Sequence, residues 1–259
     1  MRILYFGNNR LGWRVASWLR AQGAEIAGAV VHPPARQRFA DEIVQATGVD
    51  PSAVIDGSRL RQPEMPALFR TLGADLGVCV SFGYLLPRTI LQSFPAGCIN
   101  LHTGYLPHNR GAYPNVWSIV EATPAGATLH HIDEGVDTGD IIARREVSVE
   151  PTDTGESLFE KLEEGALQLF QEAWPEVVSG RASRTPQIPS EGTSHRTDDV
   201  SRIDEIDLDR TYRAGDLINI LRARTFSPYS GAFFRVGGRR VFMRLELSYD
   251  EAPEVKDRA

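Results

Sequence analysis

The stretch "RILYFGNNRLGWRVASWLRAQGAEIAGAVV", residues 2–31, decides the fold class. Its first six residues form a short apolar run ending in Gly7, the pattern of a parallel strand covered on both faces. Leu11, Val15, Trp18 and Leu19 then share one stripe at helical spacing, and Gly23 stands where a helix C-cap is expected. "EIAGAVVHPP" resumes as a second strand. Strand, helix and strand in this order make a βαβ unit. The sheet is therefore expected to be largely parallel, with ligands beyond the carboxyl ends of its strands.

Outward from this unit the alternation persists. Helices are expected near 37–47, 64–72, 87–93 and 114–121, and strands at 53–57, 75–83 and 97–102. "GATLHHID" and "DIIARREVSVE" read as two further strands, antiparallel to each other and joined by "EGVDTG". Residues 154–178 should be the longest helix, with Thr154 at its N-cap. Beyond Gly180 the composition turns polar and Pro-containing, which reads as a surface crossing. We therefore expect a main domain over 1–185, a linker over 186–210 and a smaller region over 211–259. That last region should hold a short amphipathic helix, a hairpin turning at Gly237 and Gly238, and a frayed end, "EAPEVKDRA". The expected class is α/β: a Rossmann-like, mostly parallel sheet flanked by helices, with a small β-rich C-terminal subdomain.

Composition narrows the function. The 259 residues are 42% hydrophobic, enough for a substantial core, and the formal charge of −6 gives no general attraction to a phosphate backbone. Nucleic acid is not the expected partner. Cys79 and Cys98, the two cysteines, each sit in an apolar run and read as small buried hydrophobes. The N-terminus lacks the apolar core of a signal peptide, and no apolar run approaches the roughly 18 residues of a membrane span. A cytoplasmic protein without membrane contact is expected. His102, His108, His130 and His131 match no metal-ligand spacing, and His130 and His131, adjacent on a strand, must point to opposite faces. No metal is expected.

"FGNNRLG", residues 6–12, follows the first strand but lacks the G-x-G-x-x-G spacing of a dinucleotide site. Asn8, Asn9 and Arg10 would still stand at a strand's carboxyl end, where a ligand is within reach. "CINLHTGYLPHNRGAYPNVW", residues 98–117, carries more chemistry. Alternation along its strand should bury Ile99 and Leu101 and send Asn100 and His102 together toward the crevice. Asn offers a neutral N–H to a developing oxyanion, and His titrates near neutrality. A carboxylate to orient the imidazole is sought in "HIDEGVDTGDII", among Asp133, Glu134, Asp137 and Asp140.

"INLHTGYLPHNRGAYPNVW" followed by "GATLHHIDEGVDTGDII" resembles the formyltransferases that use 10-formyltetrahydrofolate. The resemblance implies Asn100, His102 and Asp137 as the catalytic set, Asp137 being the first Asp of "DTGD". It places the pterin of 10-formyltetrahydrofolate against Phe82, Gly83, Tyr84, Leu85 and Leu86, and against the loop of Asp133, Glu134, Gly135 and Val136. Within that family the chain looks most like the enzymes that formylate nucleotide-linked amino sugars. Asn109, Arg110, Tyr113, Asn115 and Trp117 would then line the acceptor side together with Asn8, Asn9 and Arg10, with Arg110 meeting a phosphate. The implied partners are the folate, a nucleotide sugar and a second copy of the chain in a homodimer. Methionyl-tRNA, a hydroxyornithine-type amine, and water in a folate hydrolase are the alternative acceptors.

Overall fold

The computed structural model of the chain describes residues 1–250, so the expected frayed end at 251–259 lies outside the described residues. The chain runs β1 (Arg2–Gly7), α1 (Asn9–Ala21), β2 (Glu25–Val31), α2 (Ala40–Thr47), β3 (Val54–Asp56), α3 (Met65–Leu72), β4 (Leu76–Val80), α4 (Arg88–Leu91) and β5 (Cys98–His102). It continues through a short β6 (Arg110–Gly111), α5 (Pro114–Val120), β7 (Gly126–His131), β8 (Ile141–Glu146) and α6 (Gly155–Val178). A second group follows: a short β9 (Ser194–His195), α7 (Ser201–Asp204), α8 (Ala214–Ala223) and the hairpin of β10 (Phe233–Val236) and β11 (Arg239–Phe242).

Seven strands form one sheet in the order β3-β2-β1-β4-β5-β7-β8. β1 to β5 pair in parallel, and β7 runs antiparallel to both β5 and β8. The chain starts at β1, moves outward to β3, then returns to the other side of β1 at β4. That reversal opens a crevice at the carboxyl ends of the central strands.

Both faces of the sheet are covered, which is why β1 is apolar from Ile3 to Phe6 rather than alternating. On one face Leu11, Val15 and Leu19 of α1, Ile43 of α2 and Phe170 of α6 pack on Ile3, Tyr5, Val78, Ile99 and Leu101. On the other, Met65, Phe69 and Ile90 pack on Leu4, Phe6, Cys79 and Cys98. Burial pushes the Cys98 thiol up to about 12 and raises Cys79 well above its ordinary value, so both behave as small apolar groups. The N-terminus of α6 is closed by a reciprocal box. Thr154 Oγ1 accepts the Ser157 N–H at 3.2 Å and Ser157 Oγ accepts the Thr154 N–H at 3.0 Å.

Residues beyond α6 depart from the expected surface crossing. Thr185 bridges to Ile141, and β9 pairs in parallel with β6, register Gly111 to His195. Gly111 has a φ of 87°, and a Cβ there would stand 2.3 Å from the His195 carbonyl oxygen, so the close approach requires glycine. The segment docks through polar and backbone groups, which is why its composition reads as a linker. Further on, Ala223 of α8 joins Val116, Ile119, Leu158 and Leu162 in a third apolar cluster, so the C-terminal region shares a core with α5 and α6. No helix among the described residues is long and apolar enough to cross a membrane.

Phe170 is fully buried between Trp18, edge-on at 6.0 Å between ring centroids, and Trp174, stacked at 5.3 Å. Phe170→Ala should destabilise the chain by about 3–5 kcal/mol in urea unfolding, the usual range for emptying a buried aromatic site. A loss below about 1 kcal/mol would show that α6 does not anchor the sheet.

Candidate active site

β4 and β5 end side by side, and the loop between β7 and β8 returns to the same edge of the sheet. Ile99 and Leu101 enter the core, while Asn100 and His102 leave β5 on its other face, as the alternation predicts. Asp137 arrives from the β7–β8 loop with a φ of 52°, a left-handed conformation that Asp tolerates better than most residues. Its Oδ1 accepts an N–H of Asn100 at 3.2 Å, and its Oδ2 accepts the Gly111 backbone N–H at 2.9 Å. Oδ2 also lies 3.6 Å from Nδ1 of His102. The three residues of the implied catalytic set meet at one point.

The tautomer of His102 follows from its partners. Nε2 is 2.9 Å from the Asn109 carbonyl oxygen, which can only accept, so Nε2 carries the hydrogen and Nδ1 is the nitrogen turned toward Asp137. Gly104 leaves room for this ring, since a Cβ there would stand 2.5 Å from Nε2. Asn109 itself is fixed: its Nδ2 donates to Ser118 Oγ and Thr123 Oγ1, each at 2.9 Å.

His130 completes the cluster. The register sets it directly opposite Asn100, with Nδ1 donating to the His131 carbonyl oxygen at 2.8 Å. Its Nε2 then accepts from Asn100 Nδ2 at 3.1 Å when neutral, and reaches Asp137 Oδ1 at 3.4 Å when protonated. Burial by itself pushes the Asp137 carboxyl up. The His102 charge, the hydrogen bond and charge of His130, and the Gly111 N–H outweigh it and hold the carboxyl well below the usual range. Asp137 is therefore ionised at neutral pH.

A cavity of ≈ 500 Å³ opens in front of Asn100, His130 and Asp137. All of the residues expected on the cofactor side line it except Glu134, which faces outward beside Arg88 at 3.5 Å. Asp133 also braces its own loop by accepting the Gly135 N–H at 2.9 Å and the Thr138 hydroxyl at 2.6 Å. Asp140 turns away toward Arg184, 3.6 Å off. Beneath the 82–86 loop, His32 Nε2 accepts the Gly83 N–H at 3.1 Å, and its ring meets Phe82 and Tyr84 edge-on. Burial, then the charge of Arg36, lowers the His32 pKa and keeps it in the neutral, accepting form.

Most of the residues expected on the acceptor side are enclosed in this structure. Asn8 is buried and accepts the Arg38 N–H at 2.8 Å, and Asn115 is buried with Nδ2 on the Gly155 carbonyl at 2.8 Å. Arg110 is buried with Nε and Nη2 on Gln187 Oε1 at 3.1 and 3.0 Å, and Trp117 is buried in a stack on His195 with centroids 4.1 Å apart. Asn109 is fully buried in the bonds given above. Polar groups so enclosed and paired have little left to offer a ligand. Arg10 is tied to Glu163 at 2.9 Å, and Asn9 holds a left-handed φ of 60° at the start of α1. Tyr113 is 42% exposed.

What the sequence reading missed lies in β7 and in the polar segment: His130, and His195, Arg196 and Thr197 on the cavity wall. The signal for His130 was its alternation with His131, but its partner depended on the β5–β7 register. Among the described residues no group of three or more His, Cys, Asp or Glu could hold a metal ion.

A family model described as formyl transferase matches residues 15–174, and one described as the N-formyltransferase dimerization C-terminal domain matches residues 199–249. A methionyl-tRNA formyltransferase of Agathobacter rectalis is 32% identical over 247 residues, 92% of this chain and 77% of its own. A dTDP-4-amino-4,6-dideoxyglucose formyltransferase of Mycobacterium tuberculosis is 34% identical over 171 residues, 63% of this chain and 72% of its own. Among solved structures, a 4-N formyltransferase from Francisella tularensis superposes with a TM-score of 0.82 at 27% identity, covering 96% of this chain and 98% of that one. A formyltransferase from Anoxybacillus kamchatkensis, in complex with UDP-4,6-dideoxy-4-formamido-L-AltNAc and tetrahydrofolate, gives 0.56 at 29% identity, covering 78% and 89%.

The depressed pKa of Asp137 has a signed effect on stability. A carboxyl that ionises more readily when folded than when unfolded stabilises the fold above the ordinary Asp value of about 3.9, and this contribution is lost as pH falls through the lower folded value. The stability difference between wild type and Asp137→Asn should thus shift against wild type as pH falls from about 5 toward about 3. Urea unfolding across that range measures it; a difference independent of pH would mean that the carboxylate is not held by these partners.

Proposed function

The chain belongs to the formyl transferase family, and within it we propose an N-formyltransferase that moves the formyl group of 10-formyltetrahydrofolate to the amine of a nucleoside-diphosphate-linked amino-deoxysugar. The observation that carries the reading is the meeting of Asn100, His102 and ionised Asp137, with Asn100 and Asp137 lining a cavity walled by the 82–86 loop and the loop after β7, and His102 behind them against Asp137. The tetrahydrofolate and formamido sugar held by the Anoxybacillus kamchatkensis enzyme support this choice of donor and acceptor.

In the reaction a bond forms between the amine nitrogen and the formyl carbon, the bond from that carbon to N10 of the folate breaks, and one proton passes from the amine to N10. Both N–H groups of Asn100 are engaged, one with Asp137 and one with His130. The bond to Asp137 is charge-assisted, so the N–H facing His130 is the one that turns to the developing oxyanion. Nδ1 of His102 takes the amine proton and returns it to the leaving nitrogen, and Asp137 orients and balances the imidazolium. The folate pterin lies between the 82–86 loop and Asp133, Gly135 and Val136.

Since Arg110 is enclosed, the phosphate contact passes to Arg196, the one arginine or lysine lining the cavity among the described residues. Its backbone is pinned by the β6–β9 pairing and by the bond from its N–H to Asp199 Oδ2 at 2.7 Å. Tyr113 is the exposed aromatic left for the sugar or base. Methionyl-tRNA is the second reading, favoured by a relative that matches 92% of the chain; the net charge of −6 weighs against it. Residues 199–249, with Val236, Val241 and Phe242 exposed on the hairpin, are the surface on which a second copy would dock.

Incubation with 10-formyltetrahydrofolate and dTDP-, UDP- or GDP-linked amino sugars should yield an N-formyl sugar by mass spectrometry. Formyl-methionyl-tRNA or a formylated hydroxyornithine as the product, or formate released without any amine, would overturn the acceptor assignment. Asn100→Ala, His102→Ala and Asp137→Ala should each lower kcat roughly a hundredfold or more while the circular dichroism spectrum is kept. Arg196→Gln should raise KM for the nucleotide sugar about tenfold and leave KM for the folate unchanged. The reverse pattern would assign Arg196 to the carboxylates of the folate tail.

A further inference from the structure

The loop that presents Asp137 is held from behind by a side chain from the polar segment. Gln187 Nε2 donates to the backbone carbonyls of Asp137 and Gly139 at 2.8 and 2.7 Å. Its Oε1 accepts both Nε and Nη2 of Arg110. Every donor and acceptor site of this amide is in use. Residues 110 and 111 therefore grip Asp137 twice, once on its main chain through Gln187 and once on its carboxylate through the Gly111 N–H.

This grip falls where the backbone requires it. Asp137 stands at a φ of 52°, and such conformations persist when surrounding bonds over-determine them. The same turn must place Oδ2 opposite His102 and Oδ1 opposite Asn100 at once. Without the two donors from Gln187, the carbonyls of Asp137 and Gly139 lose this partner, and the turn that aims the carboxylate at the imidazole loses its main-chain brace.

We propose that Gln187 is a positioning residue for the formyl transfer, setting the Asp137 carboxylate against His102 and coupling it to the segment that leads into residues 199–249. The proposal rests on the formyl-transfer reading for its kinetic arm. It does not touch substrate itself; it acts through Asp137.

Gln187→Glu is the decisive variant, because it keeps an acceptor for Arg110 while replacing the two donors with oxygen facing two carbonyls. Its kcat should fall about ten- to a hundredfold, the scale of a misplaced catalytic group. The dissociation constant for tetrahydrofolate should stay within about twofold, and in an Asp137→Asn background the further loss should vanish, since residues that act as a unit are not additive. Gln187→Ala should behave likewise. Hydrogen exchange at the Gly111 amide should accelerate in both variants. Wild-type kcat in Gln187→Glu, an equal fold loss in the Asp137→Asn background, or tetrahydrofolate binding that weakens in step with kcat would each overturn the proposal. Should wild type formylate no amine, the formyl-transfer reading fails alone; the Gly111 exchange then decides the role of Gln187, and an unchanged rate overturns it.

Discussion

A buried negative charge has to be surrounded by groups that repay its lost hydration, and the site is organised around that demand at Asp137. Four contributors from three strands answer it: Asn100 and His102 from β5, Gly111 from β6, and His130 from β7. Each is held by a further bond of its own. His102 leans on the Asn109 carbonyl, and His130 on the carbonyl of His131. The parallel sheet matters because it delivers β4 and β5 side by side with their carboxyl ends in register, while antiparallel β7 brings His130 back opposite Asn100.

Periodicity made part of this legible. Two-residue alternation was enough to send Ile99 and Leu101 inward and Asn100 and His102 outward, because that rule depends only on the strand itself. The βαβ reading and the capped helix at Thr154 rested on equally local signals. Asp137 was a different case: the residues alone left four acidic candidates, and family resemblance chose among them. The structure shows why the other three differ, since Asp133 is spent on its own loop, Glu134 faces out and Asp140 turns to Arg184.

What was not legible shares a physical cause. Asn109, Arg110 and Asn115 looked like surface recognition groups because polar residues among Gly and Pro read as exposed turn, yet they are buried and satisfied by partners 9 to 84 positions away. Gln187, His195 and Arg196 were passed over for the converse reason. Their segment has few apolar residues, and its attachment runs through backbone pairing and side-chain amides, which hydrophobic periodicity does not register. Sequence pattern reports what the apolar core demands; long-range polar pairing leaves no such trace.

The bond from His102 Nε2 to the Asn109 carbonyl has a consequence for the route of protons. In a relay, an imidazole takes a proton on one nitrogen and releases another from the far side, so charge moves through the ring. Here the far nitrogen faces an oxygen that cannot accept a proton at any accessible pH, and Gly104 packs against it. The ring is a dead end for transport. In the proposed transfer, a proton taken up on Nδ1 is therefore returned from Nδ1, and His102 acts as a reservoir of one proton rather than a channel.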